Sequence, residues 1–165
     1  MLFEKIVFAT DFSRVSDGAL DYVLKFREVG SKEVVLVHVL DVTEMRSVVA
    51  QPSGMVTPSG EFDREVMKRF RRNAEEKLEA LVVQLEDAGF QVRPHLIDGI
   101  PWREIVKIAA AEKADCIVMG SHGRSNVVQM FLGSVTENVI GHAHQPIFVV
   151  RREAVLENRW WETAE

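Results

Sequence analysis

Short, continuously apolar runs alternate with longer amphipathic stretches along this chain. The segments "LFEKIVFAT" (2–10), "KEVVLVHVL" (32–40), "FQVRPHLI" (90–97), "DCIVM" (115–119) and "PIFVV" (146–150) are strand-sized and rich in β-branched residues. Their apolar positions run on rather than alternate, which marks strands covered on both faces, the condition of a parallel sheet. Between them the period becomes helical. Leu20, Val23, Leu24 and Phe26 make an apolar stripe in a helix expected over 16–29, with Gly30 placed to end it. Val66, Phe70, Ala74, Leu78, Leu81, Val82, Leu85 and Ala88 recur at steps of three and four up to Gly89, the strongest helical signal in the chain. Pro101 suits the first turn of a helix carrying Trp102, Ile105, Val106, Ile108 and Ala109. A last helix is expected from Ser134 to about His142, with Pro146 barring its continuation.

The predicted order is β-α-β-α-β-α-β-α-β. Strict alternation implies right-handed crossovers and an α/β fold, an open parallel five-stranded sheet with helices on both faces. A chain of 165 residues is most simply a single domain, able to bury roughly 70% of its unfolded surface without a disulfide or metal. The segment "VTEMRSVVAQPSGMVTPSGEF" (42–62) carries two Pro-Ser/Ser-Gly clusters and exceeds ordinary connections, so it reads as a loop, either a lid or a plain insertion. Past the last strand, "REAVLENRWWETAE" (152–165) reads as a surface tail or short helix, and its Trp160 and Trp161 as a contact surface on this domain or a second subunit.

Charge removes some classes of function. A net charge of −5 argues against non-specific nucleic-acid binding, which draws on Lys and Arg to neutralise phosphates. The basic run "KRFRR" (68–72) shares its helix with Glu65, Glu75, Glu76 and Glu79, the mark of a solvated face. Cys116 is the sole cysteine, which excludes an intrachain disulfide and fits a reducing compartment. In its apolar strand it reads as a small buried hydrophobe. No apolar run approaches the about 20 residues of a membrane span, and the charges within "MLFEKIVFAT" are wrong for a secretory signal. The expected location is the cytoplasm, with no membrane partner. His38, inside a strand, reads as a hydrogen-bonded core residue, and His142 and His144 have no partners at metal-ligand spacing.

In open α/β sheets, ligands sit outside the carboxyl ends of the strands where strand order reverses. This chain places Ala9, Thr10 and Asp11 after strand 1, Val39 and Asp41 at the end of strand 2, Asp98 and Gly99 after strand 3, and Met119, Gly120, Ser121 and His122 after strand 4. The stretch "MGSHGRSNVVQMFLGSVTENV" (119–139) is neither GxxxxGKS/T nor GxGxxG. Its glycines nevertheless allow close approach of backbone to ligand. Gly133, Ser134 and Val135 open a helix whose free N–H groups attract an anion, with Ser134 able to donate a hydroxyl or to cap the helix. Asp11 reads either as a ligand-facing carboxylate or as a turn or N-cap residue of "DFS". His122 reads as a polar loop residue rather than a catalytic base.

The spacing Gly120-x2-Gly123-x9-Gly133-Ser134 resembles the phosphate-and-ribose motif of the nucleotide-binding branch of the universal stress protein family. "IVFATDFS" (6–13) resembles that family's opening strand and turn, "VHVLD" (37–41) its second strand, and "GSVTENVIGHAHQPIFVVR" (133–151) its closing helix and strand. The likeness covers residues 1–151 as one domain with a variable loop at about 43–61, leaving 152–165 as a C-terminal tail. It implies an adenine nucleotide alpha hydrolase-like sheet of order 3-2-1-4-5. It also implies a homodimer in which the last strand, Pro146 to Arg151, pairs antiparallel with its copy. The implied ligand is ATP or another adenine nucleotide, with Mg. Asp11 would then meet the ribose or adenine, with Ala9 and Thr10 lining the pocket. Val39 would pair with the adenine edge through its backbone, and Met119 and Gly120 would pack around the sugar. Gly123, Gly133, Ser134, Val135 and Thr136 would hold the phosphates. Ala9 stands where some members carry proline, and His122 and Asn126 stand where the motif is permissive.

Three functions compete on this reading. The first is an ATP-binding regulatory protein of the stress response that signals its occupancy through a dimer or partner. The second is a slow ATP hydrolase or nucleotidyl-transfer enzyme, and the third a nucleotide-free interaction module. Phosphoryl transfer needs a positioned base or cation near the transferred group, yet Arg124 is the lone Lys or Arg of the glycine stretch. The retained glycines weigh against the third. Binding groups are therefore expected, with no catalytic residue and no protein metal ligand assigned.

Overall fold

The computed structural model describes residues 3–41, 43, 60–122 and 132–151, and the side chains of all of these but 60–63. Its elements alternate as the hydrophobic pattern requires: β1 (Lys5–Ala9), α1 (Arg14–Phe26), β2 (Glu33–Asp41), α2 (Gly60–Asp87), β3 (Gln91–Gly99), α3 (Pro101–Ala111), β4 (Cys116–Gly120), α4 (Ser134–His142) and β5 (Ile147–Val150). All strand pairs are parallel and the order is β3-β2-β1-β4-β5, as the family resemblance implied.

Successive residues of each central strand enter different cores. Ile6, Phe8, Val34, Leu36 and Val118 pack with Leu20 and Val23 of α1 and Leu78 and Leu85 of α2. Val7, Val35, Val37, Ile117 and Met119 pack instead with Ile105 and Ile108 of α3 and Val139 of α4. Two apolar faces on one strand are what continuous apolar runs encode. Pro94 lies in β3, an edge strand, where a missing N–H is tolerated. Cys116 is 3% exposed, and burial pushes its thiol up to about 11, so it stays protonated and inert at neutral pH. No helix among the described residues is long and apolar enough to cross a membrane.

Helix ends follow their caps. α1 starts at Arg14, ahead of the expected Ser16, because Ser13 is its N-cap and accepts from the Ser16 N–H at 3.4 Å. Its end is a Schellman closure: Ser31 N–H reaches Phe26 O at 3.0 Å, Gly30 N–H reaches Arg27 O at 3.2 Å, and Gly30 takes φ 105°. Gly89 closes α2 in the same way, with φ 90° and bonds from Phe90 to Leu85 and from Gly89 to Glu86. α2 begins at Gly60 rather than near Val66. Arg64 and Glu65 are good helix formers that carry no apolar period, so periodicity alone could not place that start, and the expected loop (42–62) loses its last three residues to the helix. The rest of that loop after Thr43, like the tail with Trp160 and Trp161, lies outside the described residues.

Candidate functional site

From β1 the chain moves outward to β2 and β3, then crosses back to β4 on the other side. β1 and β4 are therefore neighbours, Ala9 opposite Met119, with connections that leave in opposite directions. A crevice at that switch point is a consequence of topology. It holds a cavity of about 470 Å³, within the size range of small-molecule sites.

The β1 side of the cavity is built by a hydroxyl network. Thr10 N–H continues the ladder to Val37 O at 3.0 Å. Its hydroxyl donates to Ser16 Oγ at 3.1 Å and accepts from the Phe12 N–H at 3.0 Å. Ser16 Oγ lies 3.0 Å from Asp11 Oδ1, which also accepts from the Ser13 N–H at 3.1 Å. Asp11 is thus the acceptor of an Asx-turn, the turn role that was one of its alternatives, while Ser13 and not Asp11 caps α1. Two donors on one carboxylate oxygen fix its orientation at the cavity wall.

β2 runs on past the end of β1, which pairs with it only as far as Ala9 opposite Val37. The Val37 carbonyl points toward β1 and accepts from Thr10. By the alternation of a ladder, the Val39 N–H and C=O point the same way, where β1 offers no partner, and Val39 lines the cavity. His38 is 4% exposed, and its Nδ1 donates to the Thr10 carbonyl at 2.8 Å, which fixes the proton on that nitrogen. The core reading of His38 holds, but the ring also lines the cavity and stacks on Phe12 at 4.3 Å. Phe12 itself takes φ 59°, a left-handed conformation that is strained for a bulky residue.

On the β4 side, Gly133 is the N-cap of α4 and has no side chain to offer, so the first N–H groups of the helix receive no side-chain cap. Ser134 is the first helical residue rather than the cap. Gly133 N–H donates to Ser121 O at 2.8 Å, and the Thr136 hydroxyl donates to Gly120 O at 3.0 Å, stapling α4 to the end of β4. Ser121 Oγ and His122 Nδ1 share a hydrogen bond of 2.9 Å. Ser121 is 1% exposed and does not line the cavity, so this pair orients His122 rather than presenting a nucleophile.

Ala9, Thr10, Asp11 and Val39 of the predicted set line this one cavity, together with Met119, Gly120, Gly133, Ser134, Val135 and Thr136. Gly123, Arg124 and Asn126 lie outside the described residues. The sequence pattern did not single out Phe12, Ser16 and the α2 residues Phe70, Asn73 and Lys77 as lining residues, yet they line it too. The signal for Phe70 was its place on the apolar stripe, which reads equally as core. Charged lining groups among the described residues are Asp11 and Asp41 against Lys77, whose Nζ lies 5.6 Å from the Phe12 ring centre. No group of three or more His, Cys, Asp or Glu that could hold a metal ion occurs among the described residues.

A model of the universal stress protein family matches residues 2–151. Universal stress protein MJ0577 of Methanocaldococcus jannaschii is 39% identical over 158 residues, 93% of this chain and 98% of that protein. Its solved structure aligns with a TM-score of 0.81 over 93% of this chain and 99% of that one. Universal stress protein MJ0531 of the same organism is 33% identical over 151 residues, 92% of this chain and 84% of that protein. A universal stress protein of Archaeoglobus fulgidus, solved in complex with dAMP, shares the fold at 24% identity and a TM-score of 0.58, over 91% of this chain and 99% of that one.

Proposed function

The chain belongs to the universal stress protein family, and from that premise we propose that it is a regulatory protein that holds an adenine nucleotide, ATP in first place, in the switch-point cavity. One observation carries the reading: residues from four separate segments, after β1, in β2, after β4 and at the start of α4, converge on one cavity that has a helix N-terminus without a side-chain cap and, among the described residues, a stretch of β2 beyond its pairing with β1. The strand edge at Val39 offers a backbone donor and acceptor, the pair of groups that an adenine edge takes. Asp11, held by Ser13 and Ser16, accepts from ribose hydroxyls. The N–H groups at the start of α4 meet phosphate oxygens, with Gly123 and the Ser134 hydroxyl joining them. Thr136 contributes its N–H, since its hydroxyl is engaged by Gly120 O. Magnesium, carried on the phosphates, balances their charge without a protein cage, in keeping with its preference for phosphate and water oxygens.

Calorimetry on nucleotide-free protein with ATP and magnesium is expected to give saturable binding. The Asp11→Ala variant should bind roughly tenfold more weakly, the effect of losing one charge-assisted hydrogen bond. Absence of any binding heat from the wild-type protein sinks the reading. Mass spectrometry of small molecules released on denaturing the gently purified protein distinguishes ATP from ADP or another adenine nucleotide.

The domain is taken as residues 1–151 and the tail as 152–165, in the cytoplasm, with occupancy reported through a homodimer built on β5. β5 pairs with β4 on one side and forms the sheet edge on the other. Phe148 of β5 is 39% exposed with its ring centre 5.4 Å from that of Tyr22, and Ile140 of α4 is 46% exposed. Pro146 O and Val150 O accept from Ile117 of β4 and from Ser121 just past its end, so by alternation the Val149 N–H faces the open edge. Val149→Pro removes that donor while sparing the β4 ladder. It is expected to turn a dimer into a monomer in analytical ultracentrifugation with the circular dichroism unchanged; a variant that sediments as a dimer removes β5 from the interface.

A further inference from the structure

We infer that one face of α2 is the base-side wall of the cavity, with Phe70 as the surface on which the nucleotide base stacks and Asn73 beside its polar edge; this rests on the nucleotide reading above. α2 has 28 residues, about 42 Å at 1.5 Å per residue. The nine-residue strands β2 and β3 that it crosses span about 30 Å. Because α2 descends from the carboxyl end of β2 to the start of β3, the excess length stands at its N-terminal half, above the strand ends. Leu78 and Leu85 of its apolar stripe are buried against the sheet. Phe70 continues the same stripe toward the carboxyl ends of the strands, is 43% exposed where Leu78 and Leu85 are buried, and lines the cavity. Phe70, Asn73, Ala74 and Lys77 follow the i, i+3, i+4, i+7 spacing of one helix face, and all four line it.

This turn of α2 is also tied down. Arg71 Nη2 donates to both carboxylate oxygens of Asp98 near the end of β3, each at 2.7 Å, so Phe70 is held at a set height over the cavity. The cavity is also lined by the aliphatic side chains of Val39, Ile105 and Met119, which belong to the core on the other face of the sheet from α2. A cavity lined by a half-exposed aromatic and by aliphatic side chains takes a flat π-surface, and a base fits it whatever its identity. Asn73 carries both a donor and an acceptor, the pair that meets an adenine edge. The family motif carried over to Asp11, Val39 and the glycines contains none of these α2 positions.

The test separates ring from bulk. Phe70→Leu keeps apolar volume and removes the ring, and it is expected to weaken ATP binding roughly tenfold, the scale of base–aromatic stacking. Phe70→Trp is expected to bind ATP at least as tightly as wild type and to show ATP-dependent fluorescence quenching beyond that of the wild-type tryptophans. Asn73→Ala should lose several-fold in affinity. With 43% of Phe70 already exposed, none of these changes should move the melting temperature by more than a degree or two. Wild-type affinity in Phe70→Leu, with no added quenching in Phe70→Trp, overturns the wall and leaves the nucleotide reading standing. A wild-type protein that takes up no ATP overturns both.

Discussion

Gly120→Ala is expected to lower the melting temperature by about 2–12 °C, from an overpacking cost of about 1–3 kcal/mol in a domain of this size. A Cβ on Gly120 would stand 2.9 Å from Val15 Cγ1 and 3.3 Å from both Ser16 N and the Val15 carbonyl carbon. Val15 is 7% exposed and β-branched, so its methyl has little freedom to withdraw, and the other two atoms are backbone. Relief requires the start of α1 to move away from β4. Ser16 moves with it, and Ser16 orients Asp11. The variant should therefore lose affinity for ATP as well as stability. Differential scanning calorimetry decides the first part: an unchanged midpoint means that α1 adjusts freely and the contact does not require glycine at 120.

Much of this architecture was legible because the central strands are buried on both faces. Ile6 to Ala9, Val34 to Val37 and Cys116 to Met119 touch helices above and below, and that environment writes itself into the chain as unbroken apolar runs. Gly30 and Gly89 were legible for a different reason, since a Schellman closure needs a left-handed residue and both supply it. The start of α2 was hidden because Arg64 and Glu65 face solvent, where sequence carries propensity but no period. The α2 wall was hidden by a subtler ambiguity. A helical stripe tells which face is apolar, but not where along it burial gives way to a cavity, and Phe70 is half-exposed at that cavity while Leu78 and Leu85 are buried. His38 was legible as core and illegible as cavity lining, because one ring serves both. Glycine is the hardest residue to read, since a sequence shows its presence and not the atom it makes room for. Gly120 and Gly133 occur in one motif, yet the first makes room for α1.

On the proposed nucleotide reading Gly133 leaves room for phosphate instead, and Gly133→Val is expected to abolish measurable ATP binding while leaving the fold intact. Its φ of −68° and ψ of 151° lie in the extended region open to any residue, so the backbone does not demand glycine there. The two bonds that fasten this turn, Gly133 N–H to Ser121 O and Thr136 Oγ1 to Gly120 O, involve no atom that a side chain at 133 replaces. What remains is the cavity that Gly133 lines. A valine adds three carbons at the mouth of α4, where the proposed phosphates would have to reach the first N–H groups of the helix at hydrogen-bond distance. An added side chain that holds an anion an ångström or two away forfeits those bonds together, a loss of more than 100-fold at about 1.5–3 kcal/mol for each charged bond. Gly133→Ala, with one carbon, should fall between wild type and valine. Calorimetric titration with ATP and magnesium, run alongside thermal denaturation, separates the outcomes. Retained affinity in Gly133→Val moves the phosphates away from α4, and an equal fall in stability and affinity shows that Gly133, like Gly120, serves packing instead.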